Sequence, residues 1–163
     1  SSYYRQALEN DQYMLSLHTE LYHVASYLEL EQARFEEKLV VELDVEDDLN
    51  CKVPSFILQP LVENAVIHGL EPKEEGGTLI LDVRKTGNYI RIRICDNGMG
   101  IEKERLERLR RRLSEKQPER IGVWNIWQRL SLYTGRDDSL KIMSKKGAGT
   151  IVSIYLHRGE EDV

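Results

Sequence analysis

Residues 78–85 and 89–95 alternate apolar and polar side chains on either side of Gly87-Asn88, and no other feature constrains the fold as strongly. Alternation with a period of two is the pattern of a half-buried β-hairpin, with one sheet face turned to a core. The segment that follows, Cys95-Asp96-Asn97-Gly98-Met99-Gly100, would ordinarily turn the chain back into another strand. Residues 101–113 are instead charged and helix-forming, so they cannot supply that strand. The chain must leave the sheet at Asp96, with a carboxylate at a strand end and glycines that let backbone approach closely.

The other elements arrange themselves around this hairpin. Met14, Leu17, Leu21, Val24, Leu28 and Phe35 recur at helical spacing, predicting one long helix over residues 13–35 whose narrow stripe and acidic flanks suit a partner helix as well as the domain. Residues 39–45 read as a strand, and Val53-Pro54-Ser55 opens the next element. Residues 57–70 are helical, and Pro60 fits only in a first turn, where its missing N–H is not needed. Helices over 101–113 and 123–133 and strands over 139–144 and 150–156 complete the order. With 163 residues and 40% hydrophobic content, the chain can bury one core plus an appendage. The expected fold is α+β, a two-layer α/β sandwich with a mixed, mostly antiparallel sheet, helices on one face and an added N-terminal helix.

Charge narrows the partners. Residues 1–50 hold twelve Asp and Glu against three Lys and Arg, whereas residues 101–120 hold eight basic against five acidic side chains. This local surplus around Arg105, Arg108, Arg110, Arg111, Arg112 and Arg120 suits a small anion or a solvated helix, so no nucleic-acid partner is expected. Cys51 and Cys95, without a CxxC or paired histidines, argue against a disulfide scaffold or zinc ribbon. No run approaches the roughly 18 apolar residues of a membrane span, and no signal-like stretch follows Ser1. A soluble, cytoplasmic piece of a longer chain is expected.

Four segments could carry chemistry. In Leu61-Val62-Glu63-Asn64-Ala65-Val66-Ile67-His68-Gly69, Asn64 and His68 sit one helical turn apart at the edge of the apolar stripe. An amide there either caps a neighbouring loop or meets a ligand. Asp96, when ionised, is acceptor-only and can receive an exocyclic amine such as that of adenine. Arg120-Ile121-Gly122-Val123-Trp124-Asn125 puts a glycine at the mouth of an apolar helix, where free N–H groups and the positive dipole end favour phosphate. Gly147-Ala148-Gly149-Thr150 is, alone, a loop between strands.

In this order and with these gaps the four resemble the ATP-binding domain of sensor histidine kinases of the LytS/YesM type, within the Bergerat-fold (GHKL) ATPases that include gyrase and MutL. Pro60-Leu61-Val62-Glu63-Asn64-Ala65 with His68-Gly69 resembles the N box, Asp96-Asn97-Gly98-Met99-Gly100 the first glycine box, Gly122-Val123-Trp124-Asn125 with Gln128-Arg129-Leu130 the second, and Gly147-Ala148-Gly149-Thr150 the last. Upstream, Leu21-Tyr22-His23-Val24 and residues 27–35 are similar to the family's helix just before the ATP domain.

The resemblance implies a division into a helical segment of the dimerisation and phosphoacceptor region (1–36), the ATP-binding catalytic domain (37–158) and a tail (159–163). It implies ATP and Mg²⁺ as cofactors. Asn64 would hold Mg²⁺ through its carbonyl oxygen, and Asp96 would bond the adenine amine. Asn97, Gly98, Gly100 and Ile101 would lie along the base, His68 near phosphate or ribose. Gly122, Val123 and Asn125 would border the phosphates, with Gly149 and Thr150 behind the adenine. Residues 101–121 would form a lid whose arginines close over a polyanion. Glu63, beside Asn64, would polarise an attacking imidazole.

Two departures accompany it: Arg120 stands where many relatives have a first glycine of the second box, and Pro60 where gyrase-like members carry a water-activating Glu. No Pro-His-Phe phosphoacceptor segment occurs, and neither His18 nor His23 has those flanks. The fragment is therefore expected to bind Mg·ATP without phosphorylating itself. In the parent, expected to be a membrane-anchored homodimer, the phosphoryl group would pass to an acceptor His on a helix of its own or a partner subunit, then to an Asp on a response regulator receiver domain. A non-catalytic nucleotide-gated interaction module and an anti-sigma-type Ser/Thr kinase of the same fold stay open beside this reading.

Overall fold

The computed structural model describes residues 14–116 and 122–157. The expected helix start at Tyr13, the Arg120 position, residues 117–121 of the expected lid and the 159–163 tail lie outside the described residues. The elements run β1 (Met14–Ser16), α1 (Leu17–Phe35), a 3₁₀ turn (Glu36–Lys38), β2 (Leu39–Val45), β3 (Lys52–Pro54) and α2 (Leu58–Asn64), which continues as a π-helical turn (Ala65–Leu70). Then come β4 (Gly77–Thr86), β5 (Tyr89–Asp96), α3 (Lys103–Ser114), α4 (Gly122–Thr134), β6 (Leu140–Lys145) and β7 (Gly149–His157).

Five strands form one sheet in the order β2-β4-β5-β7-β6. Only β2 and β4 pair in parallel; β4 with β5, β5 with β7 and β6 with β7 are antiparallel. The parity of the strands decides the layers. Leu79, Leu81 and Val83 of β4, Ile90, Ile92 and Ile94 of β5, and Ile154 and Leu156 of β7 are buried, forming one hydrophobic core with Leu61, Val62, Leu106, Ile126 and Leu130 from the helices. The opposite face carries a charge cluster. Asp82, only 7% exposed, receives Arg93 (Nη2 at 2.9 Å), Arg91 (3.4 Å) and Arg84 (3.5 Å). Three guanidiniums offset the desolvation of one carboxylate.

The first element departs from the expected helix. Met14–Ser16 is a strand paired antiparallel with Lys52–Pro54, so Met14 does not belong to the helical stripe. Helix α1 starts at Leu17 because the Ser16 hydroxyl oxygen accepts the Thr19 N–H at 3.1 Å, an N-cap. The Leu17 N–H, still outside the helical ladder, donates to the Cys51 carbonyl at 2.9 Å and fixes the short sheet to the helix. From there Leu17, Val24 and Leu28 are fully covered, and so is Glu20 at 1% exposure. Helix α2 begins at Leu58 and places Pro60 in its first turn, as its chemistry requires.

Candidate functional site

Helix α2 presents Leu61, Asn64, Ala65, His68 and Gly69 along one face, the i, i+3, i+4, i+7, i+8 spacing of a helical stripe. The last part of that face is π-helical, a deviation frequent at functional sites. Opposite it, three strands contribute two rows set by register. Asp96 faces Thr150, and Thr150 faces Ser144, a polar row across β5, β7 and β6. One row deeper, Ile94, Val152 and Ile142 are aligned the same way and make an aliphatic floor. Between helix and strands lies a cleft of about 770 Å³.

The cleft has two distinct ends. At one, Gly69 lies so close to Asp96 that a Cβ on the glycine would stand 2.8 Å from Oδ1. The Gly98 N–H donates to Asp96 Oδ1 at 2.9 Å, and Met99 N–H donates to the Gly69 carbonyl at 2.8 Å. Gly98 also rests on Gly69, where any side chain would overlap backbone. Burial pushes the Asp96 carboxyl above its ordinary pKa, against the lowering effect of the Gly98 and Thr150 amides and of Lys73. At the other end, the Asn64 amide nitrogen is the nearest atom to the Cβ position of Gly122, at 3.9 Å. The Asn64 side chain makes no hydrogen bond to another described residue. Its carbonyl oxygen is therefore available there, beside the N-terminal N–H groups of the 13-residue helix α4.

Helix α3 forms the outer wall. Leu106, Leu109 and Leu113 anchor it, Arg110 donates to the Ile142 carbonyl, and Arg105, Arg108 and Arg112 border the cleft. Among the described residues lining the cleft, Asp96 is the only carboxylate against these three guanidiniums. Such a cleft suits a polyanion that also carries an amine. At the base of the wall the Gly98–Ile101 segment is laced to the β6–β7 turn. Gly100 has φ of +71° and packs against the Lys145 carbonyl, the Gly147 N–H donates to Met99 O at 2.7 Å, and the Ile101 N–H donates to Ser144 Oγ at 2.8 Å.

Of the residues singled out from sequence, Asn64, His68, Asp96, Gly100, Ile101, Gly122, Val123 and Thr150 line the cleft. Five do not. Glu63 accepts Gln59 Nε2 of the same helix at Oε1, at 3.2 Å, and burial, aided by the charges of Glu31 and Glu63, holds the Tyr27 hydroxyl of α1 up at about 12. The Asn97 side chain accepts the Thr78 N–H at 2.7 Å while its carbonyl takes Lys73 Nζ at 2.8 Å, so it closes the start of β4. Gly98 serves the contact with Gly69, and Gly149 lets β7 pass against the Asp96 and Asn97 backbone. Asn125 is exposed on α4, because Val123, Trp124, Ile126 and Trp127 take the buried positions. Sequence reasoning missed Ser144. Its signal was available, since it shares the inward parity of Leu140 and Ile142.

The sequence profile of the histidine kinase-, DNA gyrase B- and HSP90-like ATPases matches residues 54–160, and that of the histidine kinases matches residues 1–39. Sensor histidine kinase YpdA of Escherichia coli is 34% identical over 157 residues, covering 96% of this chain and 27% of that protein. Sensor protein LytS of Bacillus cereus is 37% identical over 167 residues, covering 99% of this chain and 28% of that protein. The chain thus spans about a quarter of the length of these two relatives. Among solved structures, Acinetobacter baumannii histidine kinase AdeS superimposes with a TM-score of 0.66 at 16% identity, over 98% of this chain and 76% of that one.

Proposed function

The chain belongs to the family of histidine kinase-, DNA gyrase B- and HSP90-like ATPases, and we propose that it is the Mg·ATP-binding catalytic segment of a sensor histidine kinase. The observation that carries this reading is the convergence of Asn64, Asp96, Gly122 and Thr150, from four distant parts of the sequence, on one cleft. The adenine ring lies on the Ile94, Val152 and Ile142 floor with its amine on Asp96. The phosphates lie at the Asn64 and Gly122 end, where the α4 N–H groups and the α3 arginines neutralise their charge. His68 sits between base and phosphates, toward the ribose. Gly100, Ile101 and Val123 give the walls, whereas Asn97, Gly98 and Gly149 shape the pocket through backbone packing.

The donor set fits magnesium. Among the described residues no group of three or more His, Cys, Asp or Glu side chains could hold a metal alone. One amide oxygen from Asn64 is what an ion coordinated mainly by phosphate oxygens and waters needs. When bound, the ion neutralises phosphate charge and fixes the γ-phosphoryl group for in-line attack. The chain's own part is to orient the nucleotide and exclude water; Glu63, which lies off the cleft, is not assigned a role in the transfer. The division near residue 36, the acceptor His outside this segment, the receiver-domain Asp that takes the phosphoryl group next, and a membrane-anchored dimeric parent belong to the same proposal. None of the helices among the described residues is long and apolar enough to cross a membrane.

Titration calorimetry of this chain with ATP, with and without Mg²⁺, tests the binding. Saturable binding strengthened by the metal is expected, and heat of dilution alone would overturn it. Joining the upstream acceptor segment and adding labelled ATP tests the transfer. An acid-labile, base-stable phosphoprotein is expected; if the joined chain binds ATP and carries no such label, the nucleotide-gated interaction module replaces the kinase reading.

A further inference from the structure

Ser144 sits at the end of the polar row, next to Thr150 and outside the expected nucleotide contacts. Its hydroxyl makes three bonds: it donates to the Gly149 carbonyl at 2.9 Å, accepts the Ile101 N–H at 2.8 Å, and lies 2.8 Å from Thr150 Oγ1. A serine hydroxyl has one proton and two lone pairs. With the proton on Gly149 and one lone pair on Ile101, the Thr150 contact can only be Thr150 donating to the remaining lone pair. The Thr150 proton therefore points away from the cleft, and only its oxygen lone pairs face inward. Asp96, its direct cross-strand neighbour, also offers only acceptors when ionised.

We propose that Ser144 is the positioning residue that sets base selectivity: by taking the Thr150 proton it leaves two adjacent acceptors at the base end, which favour a 6-amino purine and oppose a 6-oxo purine. This rests on the nucleotide reading of the cleft. A 6-amino group offers two protons to this pair of acceptors, whereas a 6-oxo purine offers only its N1 proton and turns the lone pairs of its 6-oxygen toward the other acceptor, directly or through a shared water; Thr150 cannot rotate to donate without breaking its bond to Ser144. A site built of committed hydrogen-bonding groups discriminates more sharply than an apolar pocket, because the mismatched group is left unpaired. The Ile101 bond adds a second effect, since the same oxygen holds the segment leading into α3.

The test is the ratio of Mg·ATP to Mg·ITP affinity, measured by calorimetry on the whole chain. These nucleotides differ in the 6-amino against the 6-oxo group and its ring proton. In Ser144→Ala the Thr150 hydroxyl is free to turn and donate, so the ratio should fall by about fivefold to tenfold, with ITP binding gaining in absolute terms. Ser144→Thr keeps the hydroxyl and should keep the ratio. In a Thr150→Val background, Ser144→Ala should leave the ratio unchanged, because there is no hydroxyl left to orient. A Ser144→Ala chain that loses ATP and ITP affinity equally would overturn the proposal and reduce Ser144 to a structural bond. A wild-type chain that binds neither nucleotide would overturn the nucleotide reading itself, and a wild-type chain that binds both equally would overturn only the selectivity.

Discussion

Glu20 Oε1 accepts the backbone N–H of Leu58 at 3.0 Å, and its Oε2 accepts that of Phe56 at 3.2 Å. A buried carboxylate on α1 thus caps the first turn of α2, which has no side-chain cap of its own. The carbonyls of Ser55 and Phe56 are taken by the Arg129 guanidinium from α4. Both sides of the turn are satisfied by charged groups from other elements, and Phe56 is held at φ of +59°. Removing the carboxylate leaves the buried Leu58 amide and the half-buried Phe56 amide without partners. Glu20→Ala should cost about 3 kcal/mol in urea unfolding, and Glu20→Gln, which keeps one acceptor, about 1 kcal/mol. Exchange of the Leu58 amide proton should accelerate in both.

Asn64→Ala removes the amide oxygen offered to a cation without changing the apolar wall. The rise in unfolding temperature produced by ATP alone should persist, whereas the extra rise from adding Mg²⁺ should disappear. Thermal unfolding at fixed nucleotide concentration reads both.

The arginines of α3 divide by direction. Arg110 is bonded to the Ile142 carbonyl, whereas Arg105 and Arg108 border the cleft. Arg105→Ala with Arg108→Ala should weaken ATP by about tenfold and leave adenosine binding within about twofold, with a flatter dependence on salt. Calorimetry at two ionic strengths, with ATP and adenosine, checks this.

Asp96 gives opposite pH signs for stability and for binding. Burial raises its pKa in the folded chain, so the folded state holds the proton more tightly than the unfolded one. Its contribution to stability is fully present below the ordinary carboxylate value and is lost as pH rises through the raised one. Asp96→Asn should remove that downward slope from the stability curve measured by urea unfolding across mildly acid pH. Nucleotide affinity needs the ionised form, so in the wild type it should fall as pH drops through the same interval. In the asparagine variant it should be about tenfold weaker at neutral pH and flat.

What could be read from the chain, and what could not, follows from sequence separation. The β4–β5 hairpin is written in period two and the α2 stripe in period 3.6, both over short spans, so their residues announce their own layer. Met14 fits a helical stripe just as well as a strand, and what decides is a partner strand at residues 52–54, invisible to local pattern. Glu20 occupies the inward position between Leu17 and Val24, but the amides it serves are 36 and 38 residues away. Asn97 and Asn125 are assigned to the site by the resemblance, as members of its first and second glycine boxes. Only the fold shows that one bonds Thr78 and the other is exposed on α4. The arginine run predicts charge near the cleft, and only the rotation of α3 sorts which members face inward.

Because β2 and β4 run in parallel, the chain between them has to return along the sheet, and α2 is that return path. Its start is tied to Glu20 of α1 and Arg129 of α4 and its end runs into β4, so Asn64 and His68 ride on an element braced at both ends. Adjustment to the size or charge of a guest then falls to the arginine-bearing wall across the gap.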